Sequence, residues 1–193
     1  MNIQAVFAEH MQVMQRAEME LSSVLVEAAT KMISTLQKGH KILACGNGGS
    51  ASDAQHFVAE VVCRFVDDRP ALPAIALSSD PSTFSAIGND YGYERVFARQ
   101  IEALAVAGDL LLAISTSGRS ANVLAAVREA RARGCTVVAL TGAGGGPLAG
   151  LADLSIAAPS TVTARIQEVH GVCVHVLAQA IDTAVTRGEV LPP

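Results

Sequence analysis

Aromatic residues are scarce in this sequence: it has no tryptophan, two tyrosines and five phenylalanines, together 4% of 193 residues. Hydrophobic residues nevertheless make up 50%, so the core has to be built from alanine, valine, leucine and isoleucine, with the many alanines suiting closely packed helices. Clusters of lysine and arginine are missing too. The balance is 14 basic to 18 acidic residues, net −4, and nothing basic enough to track a phosphodiester backbone is present, which speaks against nucleic acid as a direct ligand. No CxxC pair joins the four cysteines, Cys45, Cys63, Cys135 and Cys173. Scattered positions of this kind fit buried, reduced thiols of a cytoplasmic protein better than two disulfides. The start, "MNIQAVFAEHMQVMQRAEME", lacks the basic head and apolar block of a secretory signal,. No run of ~18 apolar residues reads as a membrane span. The expected setting is the cytoplasm, without a membrane partner. No linker, repeat or low-complexity tract divides the chain, so residues 1–193 are expected to form one domain,.

What is present is a repeated rhythm. Residues 2–38 carry apolar positions such as Val6, Met14, Leu21, Val24, Leu25 and Ile33 at helical spacing, and Gly39 supplies a stop,. Five short apolar runs follow: "KILAC" (41–45), "PAIAL" (73–77), "LLLAIS" (110–115), "TVVAL" (136–140) and "LSIAA" (154–158). None alternates with polar residues, as a strand with one wet face would. They read as strands buried on both sides, hence as a parallel sheet between helical layers, an α/β three-layer sandwich. A last helix runs from about Thr163 to Arg187, and Gly188 closes it,. The two terminal helices hold more apolar surface than one sheet needs, a hint of subunit packing.

Two loops stand out. "GNGGSAS" leaves the first strand and opens a helix; Gly46, Gly48 and Gly49 allow backbone N–H groups to converge on an anion at the positive end of that helix,. It matches neither GxGxxG nor GxxxxGK[ST], so dinucleotides and nucleoside triphosphates lose ground. Alone it reads equally well as a tight turn. The second loop, in "ISTSGRSANVLAAV", offers Ser115, Thr116, Ser117 and Ser120 at another helix start. Ser120 also fits an N-cap and Thr116 a turn, but four hydroxyls around one glycine fit a phosphate dianion better. Both loops would lie at the C-terminal ends of parallel strands and so share one crevice. Without a lysine in either, a small monophosphate is the expected ligand.

The segments "CGNGGS", "RPALPAIAL", "IGNDYGYE", "GDLLLAISTSGRSANV" and "TARIQEVH" occur in the order and spacing of the phosphoheptose isomerases, members of the sugar isomerase (SIS) superfamily. The chain resembles that family from about Gly39 to Ile181. The resemblance implies a five-stranded, flavodoxin-like parallel sheet with an N-terminal helical extension, residues 1–38, used in oligomer packing. It implies a homotetramer with active sites shared between subunits. The implied reaction converts sedoheptulose 7-phosphate to D-glycero-D-manno-heptose 7-phosphate, the first step towards nucleotide-activated heptose for lipopolysaccharide or another surface glycan. Substrate contacts would fall on Asn47, Gly48, Gly49, Ser50, Glu60, Asn89, Asp90, Ser115, Thr116, Ser117, Ser120 and Gln167. The same resemblance implies one Zn²⁺ per subunit, held by His56, Glu60, Gln167 and His175, with Glu60 and His175 as the catalytic pair. Some relatives carry an acidic residue where this chain has Ala164, so any help from that carboxylate is absent or comes from elsewhere.

The chemistry also stands on the residues. Moving a proton between adjacent carbons needs a base near carbon and an acid near oxygen. Glu60, one helical turn after His56, suits the first role; a histidine such as His175 can serve as the acid, with a divalent metal as an alternative polariser. An i,i+4 His–Glu pair is most often a surface hydrogen bond, and a lone histidine on an apolar helix is usually a core residue. Spacing alone favours Glu168 over Gln167 as the companion of His175, since positions seven apart share a helix face; the resemblance favours Gln167. His170 reads as a structural or orienting residue, His10 and His40 as ordinary surface residues, and Asp53 as a first-turn acid answering the helix dipole. The competing class is a non-enzymatic SIS adaptor resembling the DnaA initiator-associating protein, which would have no need of the acid–base set. A sugar-sensing regulator would need a DNA-binding segment, and none is visible.

Overall fold

The computed structural model describes residues 2–190. Helix α1 (Ile3–Gln37) is capped at its start by Asn2, whose side chain accepts from the Ala5 amide at 3.2 Å. It ends as its glycine foretells: Gly39 takes φ +76°, and the Gly39 and His40 amides return to the carbonyls of Leu36 and Thr35,. The chain then alternates strand and helix: β1 (Ile42–Gly46), α2 (Gly49–Val62), β2 (Ala74–Ala76), α3 (Pro81–Tyr91), a single 3-10 turn (Tyr93–Arg95), α4 (Ala98–Leu104), β3 (Leu110–Ser115), α5 (Ala121–Ala132), β4 (Thr136–Thr141), α6 (Gly146–Ala149), β5 (Leu154–Ala157) and α7 (Thr163–Thr186). All five expected strands form, with ends displaced by one residue or so.

The strands make one parallel sheet in the order β2-β1-β3-β4-β5. Its two faces divide the apolar runs between two cores. Ile42, Ala44, Leu110, Leu112, Val138 and Leu140 lie under α1, α2 and α7, with Met32, Phe57 and Leu177 above them. The intervening residues, Leu43, Cys45, Leu111, Ala113, Val137 and Ala139, face the opposite layer, where Phe97, Ile101 and Val127 cover them. This division is why the inner runs show no polar alternation: in β1 and β3, and in β4 after its first residue, each side chain, odd or even, is buried, whereas the edge strands β2 and β5 are largely half-buried,.

Helix α7 has the length and mean hydropathy of a membrane span, but half of its most apolar window is buried within the fold. It packs against both α1 and α2. All four cysteines are free; Cys45, Cys135 and Cys173 are buried as expected, whereas Cys63, just past the end of α2, is exposed. Burial pushes the Cys45 and Cys173 thiols up to about 12, so neither offers a thiolate near neutral pH,.

Candidate active site

In a parallel sheet of order 2-1-3-4-5, the connections leave β1 and β3 in opposite directions and open a crevice at the strand ends. The loop after β1 and the loop after β3 flank that crevice, because Gly46 at the end of β1 is paired with Ile114 near the end of β3. Both glycine and serine loops are therefore where an open α/β sheet binds its ligand.

The first loop enters α2 through Gly48, whose φ of +55° is a left-handed conformation that glycine adopts without strain,. No side chain caps the helix there; the Ser50 and Ala51 amides donate to the Asn47 and Gly48 carbonyls at 3.0 Å each, which leaves the Gly49 amide, without a partner among the described residues, to face an anion,. Ser50 is buried in the first turn, while Gly48 and Gly49 are exposed. In the second loop Ser120 occupies the N-cap position of α5 but does not cap it. Its hydroxyl instead meets that of Ser115 at 3.0 Å. Ser117 accepts from the Arg119 amide at 3.2 Å, and Gly118 takes φ +62° where the loop runs against the Gly145 backbone.

A pair of asparagines bolts the loops together. Asn47 and Asn122 exchange two amide hydrogen bonds of 2.8 Å each, and the Tyr93 hydroxyl donates to Asn47 Oδ1 at 2.9 Å. Asn122 and Tyr93 did not emerge from the sequence. Their only signal was proximity to a motif, Asn122 two residues after Ser120 and Tyr93 within "GNDYGYE".

Three expected residues meet beside the first loop. His56 Nε2 lies 3.1 Å from Glu60 Oε1 and 3.3 Å from His175 Nε2, across 119 residues of chain. The three ligand atoms lie within 4.8 Å of one another. Hydrogen bonding satisfies this trio poorly with neutral rings. If His175 donates to His56, the same His56 nitrogen has no proton left for Glu60. A tetrahedral zinc with bonds of about 2.0–2.1 Å separates its ligand atoms by roughly 3.3 Å, and two imidazoles with one carboxylate are an ordinary donor set for it. The residues fit the metal. Gln167 arrives from α7 onto the same loop: a Cβ on Gly49 would collide with its amide nitrogen. An alanine at position 49 would have to displace that amide.

Residues 6–142 match the SIS domain family. A phosphoheptose isomerase from Shewanella sp. (strain ANA-3) is 54% identical over 179 residues, covering 91% of each chain. The solved phosphoheptose isomerase of Neisseria gonorrhoeae superposes with a TM-score of 0.88 at 46% identity, covering 94% of this chain and 97% of its own. That of Francisella tularensis gives 0.91 at 42%, with 94% and 96% covered. This chain belongs to the phosphoheptose isomerase family.

The neighbouring polar residues sort themselves around the family's loops. Glu168, which spacing favoured, is engaged elsewhere: it pairs with the buried Arg165 and with His10 Nδ1 at 2.7 Å. His10 is thus not an idle surface residue but fastens α1 to α7. Asp53 is the fifth residue of α2, outside the first turn, so the dipole does not account for it. One of its oxygens is buried without a hydrogen-bond partner among the described residues, and burial raises its carboxyl above the usual range, opposed by nearby His56. Asn89 and Asp90 are exposed at the end of α3, hydrogen-bonded to each other at 2.7 Å, and among the described residues no side-chain hydrogen bond joins them to either loop.

His170 is structural, as expected. It is fully buried and donates from Nε2 to the Thr141 carbonyl at 3.0 Å, tying α7 to the end of β4. Burial pushes its imidazole below the ordinary 6.5, only partly countered by that bond. As pH falls through 6.5 the unfolded chain takes up a proton that the folded one refuses, so stability is full above this value and declines below it,. Calorimetry at several pH values should show His170→Gln, which keeps a donor to Thr141, losing less of its melting temperature on acidification than the parent. Parallel curves would assign the acid sensitivity to other groups.

Proposed function

We propose that this chain isomerises sedoheptulose 7-phosphate to D-glycero-D-manno-heptose 7-phosphate. The carrying observation is the meeting of His56, Glu60 and His175 beside two anion-receiving loops in a chain 42–54% identical to phosphoheptose isomerases. The phosphate sits on the amides and hydroxyls of Ser115, Thr116, Ser117 and Ser120. Asn47, Gly48, Gly49 and Ser50 line the other wall, and Gln167 orients the sugar hydroxyls from α7.

Glu60 takes a proton from C1 of the ketose, and the C1–H electrons form the C1–C2 double bond of an enediol as the carbonyl oxygen gains a proton from His175. Return of a proton from Glu60 to C2, with loss of the O1 proton to His175, yields the aldose. Oε1 of Glu60 faces His56, which leaves Oε2 for the proton. A divalent metal would be held by His56, Glu60, Gln167 and His175 and would supply polarisation of the substrate oxygens. We take zinc as that metal.

The assembly we propose is a homotetramer. An apolar groove between α1 and α7, lined by Met14, Leu21, Leu25, Val172 and Val176 among others, supports burial against another copy. So do Phe7, Met11 and Met19, all more than half exposed on α1. Shared active sites would give Asn89 and Asp90 a ligand in a neighbouring subunit. The compartment is the cytoplasm, and the product feeds nucleotide-activated heptose for a surface glycan. The adaptor reading has no use for the histidine–glutamate trio.

Incubation with sedoheptulose 7-phosphate in D₂O, followed by NMR, is expected to give the aldose with deuterium at C2, and a chelator to suppress turnover. Light scattering on the same sample is expected to give roughly four times 19.9 kDa. No aldose from metal-replete protein would end the isomerase reading; a monomer would end the shared site.

A further inference from the structure

The trio brings together side chains from two helices, α2 and α7, and something has to fix how those helices stand relative to each other. The turn after α2 supplies it. Arg69 and Asp182 form an ion pair, Nε to Oδ1 at 2.6 Å, with side chains only 1% and 4% exposed. The remaining guanidinium nitrogens point at the end of α2: one donates to the Glu60 carbonyl at 2.7 Å, the other to the Val61 carbonyl at 3.0 Å and the Pro70 carbonyl at 3.1 Å. Glu60 and Val61 belong to the last turn of α2, whose carbonyls have no partner within the helix,. Asp182 also accepts the Val66 and Asp67 amides, which folds the connecting loop under the pair.

On α7, Asp182 follows His175 by seven residues, about two turns, so both project from the same face. Besides their apolar packing, two polar links therefore tie this part of α2 to α7. One is His56 to His175; the other runs from the peptide of Glu60 itself, through Arg69, to Asp182. A guanidinium that grips the Glu60 carbonyl limits rotation and sliding of the residue whose carboxylate must meet both histidines.

We propose that Arg69 and Asp182 are positioning residues for the catalytic centre. The pair sets the register of α2 against α7, and thereby the distances from Glu60 and His56 to His175. This rests on the reading of that trio as the reacting and metal-holding group. A pair acting through Glu60 affects metal affinity and the chemical step while leaving phosphate binding intact, because the serine loop that holds phosphate joins β3 to α5, which the pair does not touch. A pair that merely stabilises the fold affects melting temperature alone.

The test uses two variants of the full chain. Arg69→Met with Asp182→Leu removes both charges together, an exchange that buried ion pairs often tolerate without loss of stability. Arg69→Lys keeps the charge and its partner but cannot reach Asp182 and the α2 carbonyls at once. Metal-stripped protein is titrated with Co²⁺ and read by its visible d–d absorption, and turnover of sedoheptulose 7-phosphate is measured on zinc-loaded protein. Both variants are expected to weaken Co²⁺ binding and lower kcat by at least ~10-fold, the range seen when partners of metal ligands are lost, with KM moving by less than about threefold. Either variant, folded, with Co²⁺ affinity and kcat both within about twofold of the parent overturns the proposal. The parent protein separates this from the underlying reading. A parent that binds Co²⁺ but makes no aldose ends the isomerase assignment and leaves Co²⁺ affinity to decide the clamp. A parent that turns over without binding Co²⁺ removes the metal and leaves kcat to decide it.

Discussion

Glu60→Gln is expected to lower kcat for sedoheptulose 7-phosphate by at least ~100-fold, the lower end of what a positioned general acid or base contributes. The amide keeps the size of the carboxylate and can still hydrogen-bond to His56, which lies 3.1 Å from Oε1, so no cavity opens. What is lost is the group that accepts a proton from carbon. His175→Gln should have an effect of similar size for a different reason, since it removes both the proton donor to oxygen and one of the three converging ligand atoms. His175 is exposed, and its loss leaves the core untouched, so both variants should melt within a few degrees of the parent. Near-normal turnover in both would show that the trio is not the catalytic centre, and the adaptor reading would then regain its standing.

Gly118→Ala should damage binding and stability together. At φ +62° a Cβ is strained by about 1–3 kcal/mol,. It would also run into the Gly145 carbonyl oxygen, a backbone atom that no rotamer change can move aside. A total on the order of 3 kcal/mol corresponds to a fall in melting temperature of roughly 6–12 °C for a chain of this size. Relief comes by shifting the serine loop, and losing even one charge-assisted bond to phosphate weakens binding by about 10- to 150-fold. Gly144→Ala is the comparison. It has φ +79° but open space around its Cβ, so it should show the conformational strain with an unchanged KM. Equal KM values for the two variants would separate the 118 loop from the phosphate.

The sequence alone determined the architecture, and for a plain reason. A strand covered on both faces has to be apolar at every position, so the five runs declared a parallel sheet, and glycines marked where the helices stop. Local chemistry was legible in the same way: glycines and hydroxyls at helix starts, and a histidine and glutamate one turn apart on α2. Sequence similarity then carried the reaction class, because the motifs are specific to one family.

The tertiary structure decided which distant side chains meet. Helical spacing favoured Glu168 over Gln167, because periodicity reports a face but not what that face touches. In the fold Glu168 is occupied by Arg165 and His10, while Gln167 lies on Gly49. Nothing local marked Asn122 as the partner of Asn47, or Arg69 as the link between Glu60 and Asp182, because these contacts join segments 75 and 113 residues apart. Asp53 shows the same limit from the other side. A carboxylate near a helix start looks like a dipole partner in sequence, and only its position in the fifth place of α2, with one oxygen buried, reveals that the dipole is not what holds it. Side-chain pairing across a fold has no period, so it is decided by packing and is absent from any window of sequence.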